Sequence, residues 1–238
     1  MPLITADDKK LYFAHVPKVG GSSVVDYLTR RFGGPLAMNG SEFYKTKTKA
    51  DMIMAPSHIT AKTAAIMLPR DIDHSFTVVR EPLSRILSQY RFQIGVSRMS
   101  QFGFSTWLRI VLSAARRDPR VYDNHIRPQS DMVPDQSMVF KFENKFSDMI
   151  TWLDKITGQP AYDVEIGHLL KRKRPPIPIL RQDVETIVAY YLADYERFGY
   201  AIPDFDEYDH DSKSQLRGMI GETVAYPLVK WQHRKWLK

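Results

Sequence analysis

The chain begins with a short apolar stretch that breaks at a proline and continues, after two glycines, as an amphipathic segment. Residues 12–16 are mostly aromatic, small or β-branched, and this pattern predicts a buried strand. Beyond Pro17 and Gly20-Gly21, apolar residues recur with helical spacing at Val24, Val25, Leu28 and Phe32. The first element is therefore predicted to be a strand, a glycine loop and a helix.

Apolar strands continue to alternate with helices in the segment that follows. A second strand is predicted at residues 52–55, a helix at 59–68 that Pro69 ends, and a third strand at 75–79. The next helix is predicted to begin at Pro82, with a buried face made of Leu83, Ile86, Leu87 and Tyr90. Such alternation is typical of a parallel sheet covered on both faces.

The remaining elements are predicted from the same periodicities. They are a helix at 102–117, a loop at 118–134, a fourth strand at 137–142, a helix at 146–156, a basic loop at 171–176 and a helix at 184–195. We therefore expect one α/β domain over residues 1–238, in which a central parallel sheet is flanked by helices.

Length and composition agree with one globular domain. Of 238 residues, 43% are hydrophobic and 26% are charged, and the formal charge of +7 favours anionic ligands without naming one. The absence of cysteine excludes disulfides, thiolate nucleophiles and cysteine zinc sites. The first ten residues lack the pattern of a secretory leader, and no apolar run has the length of a membrane span, so we expect a cytoplasmic protein.

The loop after the first strand has the features of an anion site. Glycine allows a ligand to approach the backbone, and Ser22 or Ser23 is predicted to cap the following helix. The start of a helix offers backbone N–H donors and the positive end of its dipole to one point. Lys18 adds a full positive charge. An ordinary strand-turn-helix with a solvated lysine is the alternative.

Three predicted strand ends carry basic or titratable residues. Lys18 follows the first strand, His58 the second and Arg80 the third. Because ligands of open α/β sheets bind at the carboxyl ends of the strands, we expect these residues to meet at one edge. An ATP-binding loop is a poor match, because Lys18 precedes the glycines and the third strand ends in Arg80 rather than in a magnesium-binding carboxylate.

Two of these stretches resemble motifs of a known enzyme family. His15-Val-Pro-Lys-Val-Gly-Gly-Ser-Ser23 resembles the 5′-phosphosulfate-binding loop of sulfotransferases that use 3′-phosphoadenosine 5′-phosphosulfate (PAPS). The likeness is greatest to the carbohydrate branch related to heparan sulfate 2-O-sulfotransferase. The stretch from Phe76 to Tyr90 resembles that family's 3′-phosphate-binding element. Weaker likeness at 124–129, 141–144 and 194–200 extends the resemblance over roughly residues 11–203, and 204–238 form an extension without a motif.

The resemblance implies a P-loop-like nucleotide-binding sulfotransferase fold and a role for each matching residue. The residues implied to bind the 5′-phosphosulfate are Lys18, Val19, Gly20, Gly21, Ser22 and Ser23. Arg80 and Ser88 are implied to bind the 3′-phosphate, for which arginine offers a planar pair of donors. The expected donor is PAPS, the expected product is adenosine 3′,5′-bisphosphate, and no metal is required.

Sulfuryl transfer to a hydroxyl needs a group that takes the acceptor proton and a group that stabilises the leaving charge. Histidine suits the first role because its ordinary pKa lies near neutrality. We assign His58, which lies where the carbohydrate enzymes have a catalytic histidine, and leave His125 and Glu81 as alternatives. Lys18 is assigned the second role, and His15 is expected to pack inside the first strand.

The acceptor is expected to be a hydroxyl of a sugar or glycoconjugate. His125, Arg127 and Gln129 are the predicted contacts to it, although a surface loop explains them almost as well. Oligomeric state is left open, and nucleic acid is not an expected partner.

Two alternative functions remain. A non-catalytic protein that binds polyanions or nucleic acid would use the basic, aromatic tail around Trp231 and Trp236. A P-loop kinase would need a magnesium carboxylate, and the sequence offers no evident one.

Overall fold

A computed structural model describes residues 2–6, 8–33, 56–96, 102–159, 166 and 176–210. The chain forms two compact units. The first, here the sheet unit, comprises Met1–Arg80 and Asp131–Lys173, and the second, here the helical unit, comprises Glu81–Ser130 and Arg174–Lys238. The expectation of a single domain stays a prediction.

A four-stranded mixed sheet forms the centre of the sheet unit. Its strands are β1 (Leu3–Ala6), β2 (Lys9–Ala14), β3 (His74–Val79) and β4 (Met138–Lys141), in the order β1-β2-β3-β4. β2, β3 and β4 run parallel, whereas β1 pairs with β2 in antiparallel register. The expected α/β class is confirmed, but a fully parallel sheet is wrong. The antiparallel edge strand was missed because it has only four residues.

Seven α-helices lie within the described ranges. They are α1 (Gly21–Phe32), α2 (Ala61–Met67), α3 (Pro82–Val96), α4 (Phe104–Arg117), α5 (Ser147–Thr157), α6 (Arg181–Tyr190) and α7 (Leu192–Phe198). Short 3₁₀ helices occur at Pro56–His58, Gln129–Asp131, Phe142–Asn144 and Phe205–Glu207. None of the helices in the described part of the chain has the length and hydropathy needed to cross a bilayer.

Alternation of side chains along the strands explains how helices cover the sheet. Tyr12 and Ala14 form one apolar cluster with Ile59 and with Ala64 of α2. Phe76 of β3 contacts Trp152 of α5, with ring centroids 5.3 Å apart. Successive residues of a strand point to opposite faces, so each face of the sheet has its own apolar contacts.

Several boundaries differ from the predicted ones. β2 is Lys9–Ala14 instead of 12–16, because the chain turns after Ala14, where the Val16 N–H donates to the Ala14 carbonyl at 3.1 Å. The predicted helix at 184–195 is two helices, α6 and α7, separated at Tyr191. The predicted strand at 52–55 lies outside the described residues.

The helical unit encloses the larger apolar cluster of the protein's described part. Residues from α3, α4 and α6 meet there, including Ile86, Trp107 and Ile187, all at most 2% exposed. The loop after α4, predicted at 118–134, lies beside this cluster and contributes Val121, Tyr122 and Ile126 to it. Packing of the loop against the cluster gives it fixed anchor points.

Candidate active site

The loop between β2 and α1 turns sharply because two of its residues have left-handed backbone conformation. Lys18 has φ 68° and Gly20 has φ 82°. The Gly20 carbonyl accepts hydrogen bonds from the N–H groups of Ser23 (2.9 Å) and Val24 (3.1 Å), so Gly20 is the N-cap of α1. The expectation that Ser22 or Ser23 caps this helix is therefore wrong, since both lie inside its first turn and no side chain caps it.

Each glycine of the pair is required by a neighbouring side chain. A Cβ added to Gly20 would lie 2.8 Å from Cζ of Phe146 and 3.0 Å from Cε2 of Phe142. A Cβ added to Gly21 would lie only 2.0 Å from Nε2 of His15. These positions therefore exclude larger residues through contacts within the protein, apart from any ligand that approaches the backbone.

The parallel strands end together at the carboxyl edge of the sheet. Ala14 is paired with Thr77, and Val79 with Lys141, so the chain leaves β2, β3 and β4 at adjacent points. The buried Thr77 hydroxyl donates to the Ala14 carbonyl at 2.7 Å and ties β3 to β2 just before the loop.

Arg80 meets the Lys18 loop at this edge. Its Nη1 lies 3.4 Å from the Lys18 carbonyl oxygen, and its guanidinium carbon lies 4.5 Å from the centre of the Phe142 ring. Two cationic residues from different strand ends and the N-terminus of α1 thus belong to one cluster. Such a combination of donors and positive charge binds anions.

Phe142 and Phe146 pack against the candidate site, although neither was predicted as part of it. Phe142 packs against both Gly20 and the Arg80 guanidinium, and Phe146 packs against Gly20 and the Phe142 ring. The signal for Phe142 was present, because it follows β4 just as Lys18 and Arg80 follow β2 and β3. The structure gives the weak likeness at residues 141–144 a physical basis as the aromatic support of the loop.

His58 lies in the 3₁₀ helix Pro56–His58 and is half-buried beside His15. The two imidazole rings meet edge to face, with centroids 5.0 Å apart and an interplanar angle of 74°. Burial, together with the neighbouring His58, lowers the pKa of His15 well below its ordinary value. His15 follows β2 instead of lying inside it, so that detail of the prediction is wrong.

Glu81, one of the alternative bases, caps α3 in the helical unit. Its Oε1 accepts from the Leu83 N–H at 2.8 Å, and its Oε2 accepts from the Ser84 N–H at 2.6 Å. The buried Tyr195 hydroxyl donates to Oε1 at 2.9 Å. Burial and the nearby Glu81 carboxylate raise the pKa of Tyr195, so this hydroxyl keeps the proton it donates. Ser88 lies further along the same helix and is half-buried.

Arg85 of α3 holds the loop that contains the predicted acceptor residues. Its side chain is 1% exposed, and it donates to the carbonyl oxygens of Arg127 (2.6 Å) and His125 (3.4 Å). The His125 ring is buried and lies 2.9 Å from Oε1 of Gln89 through its Nδ1. Arg85 thus braces this loop through its backbone.

The backbone just before His125 is strained. Tyr122, Asp123 and Asn124 have φ values of 52°, 58° and 62°, three consecutive left-handed residues without a glycine. All three are buried, and Asn124 Oδ1 accepts from Nε of Arg127 at 2.9 Å. Asparagine and aspartate tolerate this conformation better than other residues, but tyrosine does not.

Asp194 of α7 fixes the end of the same loop. Its two carboxylate oxygens accept from the N–H groups of Gln129 and Ser130, both at 2.8 Å, and Asp194 is fully buried. Gln129 is itself 0% exposed. The structure thereby connects two stretches of weak likeness, 124–129 and 194–200. The basic loop at 171–174 and the tail with Trp231 and Trp236 lie outside the described residues.

Comparison with known proteins identifies the family. A model of the sulfotransferase family matches residues 1–201, most of the 238-residue chain. No curated protein and no solved structure matches. The resemblance to sulfotransferases is confirmed, but the family match does not single out the carbohydrate branch. The chain belongs to the sulfotransferase family, whose members transfer sulfuryl groups to hydroxyl-bearing acceptors.

Proposed function

We propose that the protein transfers a sulfuryl group from PAPS to a hydroxyl of a sugar or glycoconjugate. The observation that supports this most directly is the contact between Arg80 and the Lys18 loop at the carboxyl edge of the sheet. PAPS carries anionic groups on its 5′ and 3′ oxygens. Two separate cationic elements beside a helix N-terminus can therefore bind one anionic group each.

The hydrogen-bond donors and positive charges of the site fit such a nucleotide. Lys18 and the backbone N–H groups of residues 19–23 would hold the 5′-phosphosulfate, and Arg80 with Ser88 would hold the 3′-phosphate. Two features prepare the loop in advance: the left-handed turns at Lys18 and Gly20 and the aromatic support under Gly20. A preorganised site stabilises charge that develops in the transition state without reorganising at that moment.

The proposed reaction is a direct displacement at sulfur. The acceptor oxygen forms a bond to sulfur, and the bond between sulfur and the bridging phosphate oxygen breaks with its electron pair remaining on the phosphate. His58 takes the proton of the acceptor hydroxyl, and Lys18 stabilises the charge that develops on the leaving phosphate. The products are a sulfate ester and adenosine 3′,5′-bisphosphate.

The proposed acceptor contacts come from the loop braced by Arg85. His125 and Arg127 lie on it, and their backbone carbonyls are held by the Arg85 guanidinium. A sugar hydroxyl is recognised by polar groups held in fixed positions, which such bracing provides. Gln129 is fully buried, so its contribution would be to the shape of the loop.

Isothermal titration calorimetry tests whether the site binds the proposed nucleotide. We expect adenosine 3′,5′-bisphosphate to bind the wild-type protein, and ATP with magnesium not to bind. Arg80→Ala removes charge-assisted hydrogen bonds of about 1.5–3 kcal/mol, so the Kd should rise roughly 10- to 100-fold. Arg70→Ala, at an exposed arginine of the sheet unit, is the matched control and should leave the Kd unchanged. Binding of ATP with magnesium alone would favour a kinase and refute the proposal.

Transfer of label from PAPS to a panel of desulfated glycans tests the chemistry. His58→Ala removes the proposed base and should lower kcat by about 10²- to 10⁴-fold with binding of adenosine 3′,5′-bisphosphate retained. Full activity of this variant would refute the assignment of His58. Transfer only to non-carbohydrate hydroxyls would keep the sulfotransferase and reject the acceptor class.

A further inference from the structure

Among the described residues, the His15 ring contacts three different parts of the sheet unit. Its ring stacks on Phe13 of β2, with centroids 5.5 Å apart and planes 19° from parallel. The ring of His58 meets it edge to face at 5.0 Å. On a third side, its Nε2 occupies the space beside the Gly21 backbone at the start of α1. One side chain thus contacts the sheet, the proposed base and the anion loop.

The contact with Gly21 is the tightest of the three. A Cβ at position 21 would overlap the His15 ring, with Nε2 2.0 Å and Cδ2 2.2 Å away. Gly21 is the first residue of α1 and does not have a left-handed φ, so alanine would otherwise suit its backbone. The glycine is therefore required by the ring, which holds a fixed place against the end of the helix.

His58 lies in a short segment. The 3₁₀ helix Pro56–His58 has only three residues. Ser57 and Ile59 are buried on either side, whereas His58 is half-buried. The His15 ring lies against the half-buried His58 side chain and limits the space in which it can rotate.

We propose that His15 is a positioning residue, which sets the orientation of the His58 ring relative to the start of α1. This inference rests on the proposed function, in which His58 takes the acceptor proton. His15 acts by the shape of its ring, and it does not itself exchange a proton with the acceptor. A misplacement of a reacting group by about 1 Å lowers rates by about 10²-fold, so small shifts of His58 are sufficient for a measurable effect.

The state of His15 agrees with this role. Burial and the neighbouring His58 lower the pKa of His15 well below its ordinary value, which favours the neutral ring. A neutral neighbour does not repel the imidazolium that forms when His58 accepts a proton. The two rings thus divide their tasks, because one changes charge and the other does not.

The test compares two replacements at position 15. His15→Phe keeps a flat ring against Phe13 and Gly21, whereas His15→Ala removes it. We expect His15→Ala to lower kcat roughly 10- to 100-fold, with the Kd of adenosine 3′,5′-bisphosphate within about twofold. His15→Phe should retain kcat within about threefold. His74→Ala is the matched control, because His74 also packs on an aromatic ring, Trp152, at the opposite end of β3.

A second variant displaces the His15 ring instead of removing it. Gly21→Ala should lower kcat by more than it raises the Kd of adenosine 3′,5′-bisphosphate. Gly95→Ala is its control, since an added Cβ there meets nothing within 4 Å and the residue also lies in a helix. This variant decides the question if His15→Ala does not fold, which circular dichroism and thermal unfolding would reveal.

The outcomes separate the two proposals. A wild-type protein that neither binds adenosine 3′,5′-bisphosphate nor transfers sulfuryl groups overturns both. An active wild type with an inactive His58→Ala supports the proposed function, and unchanged kcat in His15→Ala or Gly21→Ala then overturns the positioning role alone. Equal losses in His15→Phe and His15→Ala would also overturn it, because ring shape would not be what matters.

Discussion

Replacement of Glu81 separates a structural role from a catalytic one. Glu81→Ala removes the acceptor of two backbone N–H groups, at 2.8 and 2.6 Å, and of the Tyr195 hydroxyl at 2.9 Å. Loss of an N-cap costs about 0.5–2 kcal/mol, and a buried hydroxyl left without its acceptor costs about 1–3 kcal/mol. We expect the free energy of unfolding to fall by about 2–4 kcal/mol, a large part of the roughly 5–15 kcal/mol that stabilises a domain.

Urea denaturation followed by circular dichroism measures this loss. Glu81→Gln keeps one carbonyl oxygen and should lose about half as much stability, roughly 1–2 kcal/mol, because only one of the two acceptor atoms is replaced. Glu196→Ala is the matched control, because this carboxylate is exposed on α7, and the expected change is within about 0.5 kcal/mol.

Turnover of Glu81→Gln gives the decisive result. A capping carboxylate acts through the fold, so the folded fraction of this variant should have a kcat close to that of the wild type. A loss of about 10²-fold or more, in a protein as stable as the wild type, would refute the capping argument and favour Glu81 as the base.

Three further replacements follow from the geometry. Gly20→Ala adds a Cβ at φ 82° and 2.8 Å from a phenylalanine ring; it should cost about 2–3 kcal/mol by urea denaturation. Gly158→Ala is its control, because φ is 65° but the added Cβ meets nothing within 4 Å, so it should cost about 1 kcal/mol less. Asp194→Ala leaves two backbone N–H groups without an acceptor and should lower the free energy of unfolding by about 3–5 kcal/mol. Asp194→Asn keeps one acceptor oxygen and should lower it by less. Unchanged hydrogen exchange at those two amides in Asp194→Ala would contradict this. His15→Phe should make the free energy of unfolding less sensitive to acid. Below the ordinary histidine pKa of 6.5, the unfolded wild-type chain binds a proton that the folded His15 does not, so wild-type stability falls as the pH is lowered. Equal losses of stability in both proteins between pH 7.5 and 5 would contradict this reasoning.

The strands at the centre of the sheet were predictable because burial on both faces leaves a continuous apolar signature. β3 was predicted within one residue of its observed start, and the helix from Pro82 was found at its first residue. β1 gave no such signal, since an edge strand of four residues owes its conformation to pairing with β2. Tertiary pairing, which periodicity does not report, determined this part of the fold.

Within the site, residues that follow strands were easier to predict than residues that support them. Lys18 and Arg80 were identified from their positions after β2 and β3, and their contact follows from parallel strand order. Phe142 was not identified, and His15 was expected only to pack inside the first strand. The importance of both is that they pack against Gly20 and Gly21. A glycine pair in a sequence predicts an unusual backbone or a close contact, but not which side chain makes that contact.

The left-handed turn at Tyr122, Asp123 and Asn124 has a consequence for the order of folding. The left-handed conformation costs about 1–2 kcal/mol at a residue such as Tyr122, so the turn does not form from local preference and is a poor nucleus. It becomes stable once Arg85 donates to the carbonyls beyond it. We therefore expect α3 to form first and the turn to order late, as the first part of the helical unit to lose amide protection when the protein begins to open.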